Sequence, residues 1–228
     1  MSEFAALRGG LVVSCQAYRG DPMDDSATLA RLAQCAVGGG SVAIRAEQPD
    51  HIREIARTIA VPVIGLWKVG TEGIYITPHR EHVEAVVAAG AGIVAVDGTR
   101  RPRRPNEGLV DLIRTAHHLG VDVLADVANL DDAVAAVEAG ADAVSTTLAG
   151  YVDDVTPDEP ALDLVAKLAD ACGVPVLAEG RIATPAQAQA ALEAGAWAVV
   201  VGAAITRPTW ITRRFVQGMG VPAEPPRD

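Results

Sequence analysis

Of 19 basic residues only two are lysines, Lys68 and Lys167. Arginine keeps its proton at any useful pH, whereas a partly buried lysine amine can release it and serve as base or nucleophile. Lys68 closes the apolar run P-V-I-G-L-W-K at 62–68, while Lys167 falls in L-V-A-K-L, a helical pattern that turns it to solvent. Glu179 closes another run at 176–179, directly before Gly180 and Arg181, and is suited to acid or base work. The plain structural alternatives are an ion pair of Glu179 with Arg45 or Arg181 and a surface lysine capping a strand. Further runs end in Gln16, Arg45, Asp97, Asp126, Thr146 with Thr147, and Gly202. Charges placed where apolar runs stop cost desolvation free energy unless a partner or ligand meets them. So many together favour a ligand site over a solvated rim.

An anion signal lies in A-E-G-R-I-A-T-P at 178–185 and V-V-G-A-A-I-T-R-P at 200–208. Gly180 and Gly202 permit close backbone approach, Ala203 opens a helix start, and Arg207 can clamp phosphate oxygens. The basic run T-R-R-P-R-R-P at 99–105 reads as a solvated loop that could also lie over the site. It has no interleaved aromatics, so single-stranded nucleic acid is a poor match. His51, His79, His82, His117 and His118 fall in helical segments rather than at strand ends, and no metal is expected.

Eight β-branched runs position these residues: Leu11–Ala17, Ser41–Ala46, Pro62–Lys68, Gly92–Asp97, Asp122–Val127, Ala143–Leu148, Pro175–Glu179 and Ala198–Ala203. They recur about every 20 to 33 residues, the length of a βα unit. Between them lie alanine-rich helical segments such as Pro49–Ala60 and His79–Ala89, several ending in Ala-Gly at Gly90, Gly140 and Gly195. Eight units predict a single (β/α)8 TIM barrel of the α/β class, with chemistry at the carboxyl ends of the strands. An open doubly wound sheet is the rival, but residues 17–25 lack G-x-G-x-x-G. Ser2–Arg8 is predicted as a short helix closing the barrel floor. The barrel is expected over 1–220, with a loose proline-rich tail at 221–228.

With 228 residues, half of them hydrophobic and 21% charged, the chain can build a core and is not disordered. Its net charge of −10 disfavours nucleic acid. Cys15, Cys35 and Cys172 form neither a disulfide framework nor a C-x-x-C pair, as expected of a reducing cytosol. No secretory leader or membrane-length apolar run is read, so a cytoplasmic protein without membrane contact is expected. Its apolar outer helices would also serve subunit contact, and a homodimer is the first expectation.

Taken together, G-L-V-V-S-C-Q-A (10–17), A-I-R (43–45), P-V-I-G-L-W-K (62–68), Y-I-T-P (75–78), D-G-T-R-R (97–101), L-A-D-V (124–127), T-T-L-A-G-Y (146–151) and the two glycine-bearing stretches resemble the N-acylglucosamine-6-phosphate 2-epimerases. The chain departs from that pattern at Val69, Ala149 and Pro105. The resemblance implies a barrel that acts on a phosphorylated N-acylamino sugar in sialic-acid catabolism, interconverting N-acetylmannosamine 6-phosphate and N-acetylglucosamine 6-phosphate. Lys68 and Glu179 match the catalytic positions; Arg45, Asp126 and Arg207 match substrate-binding ones. Gln16, Gly180, Arg181, Gly202 and Ala203 join the expected binding set by their places at strand ends and loops. Removing and returning a proton at C2 leaves the oxidation state unchanged, so no cofactor is expected. Two rival readings stand beside this: an aldolase using Lys68 as a Schiff-base amine, and a sugar-phosphate sensor without turnover.

Overall fold

The computed structural model describes residues 2–105, 107–152 and 158–220. Strand and helix alternate in the order β1 (Leu11–Cys15), α1 (Ser26–Gly38), β2 (Ala43–Glu47), α2 (Pro49–Thr58), β3 (Val63–Leu66), α3 (Arg80–Ala88), β4 (Ile93–Asp97), α4 (Leu109–His118). The second half repeats it: β5 (Asp122–Asp126), α5 (Leu130–Glu138), β6 (Ala143–Ser145), α6 (Leu162–Ala171), β7 (Val176–Glu179), α7 (Pro185–Glu193), β8 (Ala198–Val201), α8 (Ala203–Thr206), α9 (Pro208–Gly218). All eight strands are parallel, each bonded to the next, and β8 returns to β1 with Leu11 opposite Val199, so the sheet is a closed (β/α)8 barrel. The expected tail at 221–228 lies outside the described residues.

Helix ends follow their sequence signals. Gly90, Gly140 and Gly195 all take positive φ after α3, α5 and α7, a backbone that costs glycine nothing. At Gly90 the amide bonds to Val87 O while the Ala91 amide reaches Val86 O, the paired closure that satisfies a helix's last carbonyls. Both Asn129 and Thr184 cap their helices through the side chain, accepting from the amides of Asp132 and Gln187.

Apolar side chains form two layers. Outward-facing Ile44, Val94, Val96, Val123 and Val144 pack with helix residues such as Ile52, Ile55 and Leu112. Inward-facing Val12, Ala43, Ile64, Ile93, Ala95, Leu124, Ala143, Leu177 and Ala198 fill the barrel. The floor is closed by a 3-10 helix at Glu3–Leu7, whose Phe4 and Leu7 are buried in that inner layer. Asp122 ties it down, accepting from Ser2 Oγ at 2.7 Å and from the Glu3 amide at 2.8 Å.

Five strands stop earlier than their apolar runs predict, β5 at Asp126 and β8 at Val201 among them. β1 ends at Cys15 rather than Ala17, and β3 at Leu66, beyond which Lys68 makes an isolated antiparallel bridge with Ile76. β6 ends at Ser145 because Thr146 takes over the pairing: its hydroxyl donates to Glu179 O at 2.9 Å and accepts from Glu179 N at 3.0 Å. Residues 146–148 then form a 3-10 turn, which aims Thr147 differently from a continued strand.

Candidate active site

Strand parity explains why polar groups converge. Side chains alternate between the two faces of a strand, so the inward position two residues beyond Ala43, Leu124, Leu177 and Val12 is Arg45, Asp126, Glu179 and Ser14 in turn. Each strand thus carries apolar interior residues up to a level where a polar one takes over. Above that level lies a cavity of about 540 Å³, in the size range of small-molecule sites.

Its base is an ion cluster centred on Arg45, which is 1% exposed. Arg45 Nη2 donates to Asp126 Oδ2 at 2.6 Å, and Nη1 donates to Asp126 Oδ1 at 3.0 Å and to Glu179 Oε2 at 2.8 Å. Burial works against the guanidinium charge, but Asp126 and Glu179 overcome it and hold Arg45 firmly protonated. Glu179 is the opposite case. Burial pushes its carboxyl above the usual range and Asp126 adds to the rise, while Arg45, the Thr147 hydrogen bond and Lys68 hold it partly down. All hydrogen bonds of the Glu179 carboxylate within the described residues go to Oε2; Oε1 receives none.

Lys68 lines the same cavity as Glu179. Its ammonium donates to Gln16 Oε1 at 2.7 Å and lies 3.7 Å from Glu47 Oε2, while Gln16 Nε2 donates to Ser14 Oγ at 2.9 Å. On the β7–β8 side, the amides of Gly180 and Arg181 belong to a turn, both residues at positive φ, that lines the cavity. Those of Ala203 and Ala204 stand in a first helical turn, where none exists within the helix. The Arg207 guanidinium has neither a hydrogen bond nor an ion pair within the described residues and rests 3.7 Å from the centroid of the Tyr18 ring. Arg181 stacks over Tyr151 and gives Nε–H to Glu159 O at 2.9 Å, leaving both terminal nitrogens without partners within the described residues.

Of the ten residues singled out from sequence, nine line the cavity: Gln16, Arg45, Lys68, Gly180 and, from there on, Arg181 with Glu179, Gly202, Ala203 and Arg207. Asp126 does not. It is fully buried beneath Arg45, so it acts on the cavity through Arg45 and Glu179 rather than by touching its contents. Asp97 likewise turns away: it is fully buried and pairs with Arg101 and Arg103, which folds the basic 99–105 run back onto β4. The ion pair of Glu179 with Arg45, raised as the structural alternative, is present and coexists with a free cavity-facing oxygen. Sequence reading missed Tyr18, Tyr75, Tyr151 and Trp210, which wall the cavity; the Y-I-T-P and T-T-L-A-G-Y motifs contained two of them. Within the described residues, no three His, Cys, Asp or Glu side chains come together in a way that could hold a metal ion. No helix there is long and apolar enough to cross a membrane.

Fold and site define a (β/α)8 barrel whose strand ends gather an amine, a carboxylate and three arginines around one cavity. The sequence pattern of the family described as "Putative N-acetylmannosamine-6-phosphate epimerase" matches residues 29–221. A relative from Cutibacterium acnes, bearing the 2-epimerase name, is 47% identical over 216 residues, covering 92% of this chain and 94% of its own. One of the same name from Clostridioides difficile is 40% identical, covering 94% and 98%. The solved N-acetylmannosamine-6-phosphate 2-epimerase of Clostridium perfringens superposes with a TM-score of 0.91 at 36% identity, covering 95% of this chain and 96% of that one. A thiamine phosphate pyrophosphorylase from Pyrococcus furiosus, 19% identical with a TM-score of 0.59, shares the fold alone. The chain belongs to the N-acetylmannosamine-6-phosphate epimerase family.

Proposed function

We propose that this chain interconverts N-acetylmannosamine 6-phosphate and N-acetylglucosamine 6-phosphate by taking a proton from C2 and returning one to the opposite face. The observation that carries this reading is one cavity lined by an amine, a carboxylate, the opening turn of α8 and the side chains of Arg181 and Arg207. In the open-chain sugar C2 stands next to the aldehyde. Lys68 in its unprotonated form takes the C2 proton, the C–H electron pair becomes the C1–C2 double bond, and the charge moves to O1. Glu179, through Oε1, serves ring opening and proton transfer at the sugar oxygens. Reprotonation of C2 from the other side gives the epimer, with atoms and oxidation state balanced.

The phosphate is assigned to the amides of Gly180, Arg181 and Ala203 beside Gly202, with Arg207 clamping its oxygens and Arg181 adding charge. Such contacts are remote from C2, and their binding energy holds the reacting carbon in place. Gln16 positions Lys68 through its 2.7 Å hydrogen bond and gives it up when a sugar oxygen takes its place.

A homodimer fits the outer surface. Helix α9 buries none of its own residues, and Phe215 and Met219 stand 69% and 73% exposed beside it, a face that a second copy would cover. Three free cysteines are in keeping with a reducing cytoplasm.

The reaction is tested by incubating the full chain with N-acetylmannosamine 6-phosphate and following product by NMR. Lys68→Ala and Glu179→Ala should each slow turnover by about 10²–10⁴-fold while remaining folded. Borohydride trapping of substrate on Lys68 would replace this reading with a lyase. Thermal stabilisation by the sugar phosphate without turnover would replace it with a sensor.

A further inference from the structure

Thr147 carries the most crowded hydroxyl in the cavity. Its Oγ1 lies 2.6 Å from Asp126 Oδ1, 2.8 Å from Ser145 Oγ, 3.1 Å from Glu179 Oε2 and 3.5 Å from Arg45 Nη1. A hydroxyl has one proton to give. Two of these neighbours are carboxylate oxygens that can only accept, so at any moment Thr147 serves one of them, while Ser145 and Arg45 donate to its lone pairs.

A purely structural duty for Thr147 would be to pin the turn after β6 against β7. Thr146 already does this through the backbone of Glu179, donating to its carbonyl and accepting from its amide. The hydrogen bonds of Thr147's hydroxyl are all to side chains, and all of those side chains belong to the cluster that faces Glu179: Arg45 from β2, Asp126 from β5 and Ser145 from β6, with Lys68 beyond the end of β3. Around Glu179 Oε2 stand Arg45 at 2.8 Å, Thr147 at 3.1 Å and Ser145 at 3.5 Å, whereas Oε1 has no hydrogen-bond partner within the described residues.

We propose that Thr147 is a positioning residue whose hydroxyl swings between Asp126 Oδ1 and Glu179 Oε2 as Glu179 gains and loses its proton, confining that proton to Oε1. The inference rests on Glu179 being the acid–base group of the reaction proposed above. With Glu179 protonated on Oε1, the Thr147 hydroxyl stays on the closer oxygen, Asp126 Oδ1. When Oε1 hands its proton to a sugar oxygen, the carboxylate becomes the stronger acceptor and Thr147 turns to Oε2. One rotation thus stabilises the newly formed charge without moving a heavy atom. The Thr147 hydrogen bond is among the interactions that hold the Glu179 carboxyl down against burial.

The test uses the full chain carrying Thr147→Val, which keeps the branched shape and removes the hydroxyl, and Thr147→Ser, which restores it. Glutamate labelled with ¹³C at the carboxyl is titrated by NMR, with the Glu179 signal identified by its loss in Glu179→Gln. The expected result is an upward move of the Glu179 midpoint by about one pH unit in Thr147→Val. A fall in kcat of about tenfold should accompany it with KM little changed, and Thr147→Ser should reverse both. An unmoved titration in Thr147→Val, or a move that serine does not reverse, would overturn the proposal. If the valine variant does not fold, Thr147→Cys, a weak donor of similar size, is read by the same criteria. The titration needs no turnover. A chain that fails to epimerise therefore overturns the functional reading, while an unmoved midpoint overturns the role of Thr147.

Discussion

At the residue scale, Glu179 is held between opposing influences, and its pH behaviour follows from their sum. Its folded-state carboxyl is raised, so the neutral form is favoured in the folded protein. Its contribution to stability is complete below the ordinary carboxylate range and is lost as pH rises through the folded value. Glu179→Gln, fixed in the neutral form, escapes that loss. The Tm of Glu179→Gln relative to the parent should therefore climb as pH rises above the ordinary carboxylate range of about 4, and a difference that stays flat would mean the carboxyl is not raised. Arg45→Met should destabilise by about 3–5 kcal/mol in denaturant unfolding, since it leaves two buried carboxylates without their cation. The candidates were legible because lysine is rare here and because polar residues end apolar runs. Their partners were not. Asp126 and Glu179 lie 81 and 134 positions from Arg45 along the chain, and only closure of the sheet shows that Asp126 lies beneath the cavity rather than in it.

At the element scale, β3 must bring Lys68 to the cavity while α2 and α3 press against its outer face, and Gly65 makes this close approach feasible. A Cβ at Gly65 would sit 2.6 Å from Ala91 Cβ and 2.7 Å from Val86 Cγ1. Gly65→Ala should accordingly cost about 1–3 kcal/mol of stability by chemical denaturation, with kcat falling as Lys68 shifts. Wild-type stability in that variant would show that the helices have room to retreat. Every strand was legible as an apolar run, and several follow an Ala-Gly helix end. The error lay at the carboxyl ends, where β3 stops before Lys68 and β6 before Thr146. Apolar composition cannot signal that a threonine hydroxyl replaces the next rung of a ladder, as Thr146 does. The early end of β6 matters to the cavity, since the 3-10 turn at 146–148 is what places Thr147 among the carboxylates.

At the scale of the whole molecule, a chain of net charge −10 gathers Arg45, Lys68, Arg181 and Arg207 around one cavity. This local reversal of sign favours a phosphorylated substrate over its neutral parent. N-acetylmannosamine lacking the phosphate should lose at least about 100-fold in kcat/KM, the loss of two or more charge-assisted hydrogen bonds. Sedimentation should give twice the mass of one chain, and Phe215→Asp on the uncovered face of α9 should shift that mass toward the monomer. Closure into a barrel was legible from the count of eight units, because no open arrangement of that many right-handed crossovers is as economical. The proposed reaction depends on Lys68 and Glu179 acting on one sugar in one cavity, Lys68 at C2 and Glu179 at the sugar oxygens. Running the reaction in deuterated water with C2 followed by NMR tests this most directly. The account predicts deuterium at C2 of the product, lost together with turnover in folded Lys68→Ala and Glu179→Gln; conversion that continues undiminished in folded Lys68→Ala would contradict it.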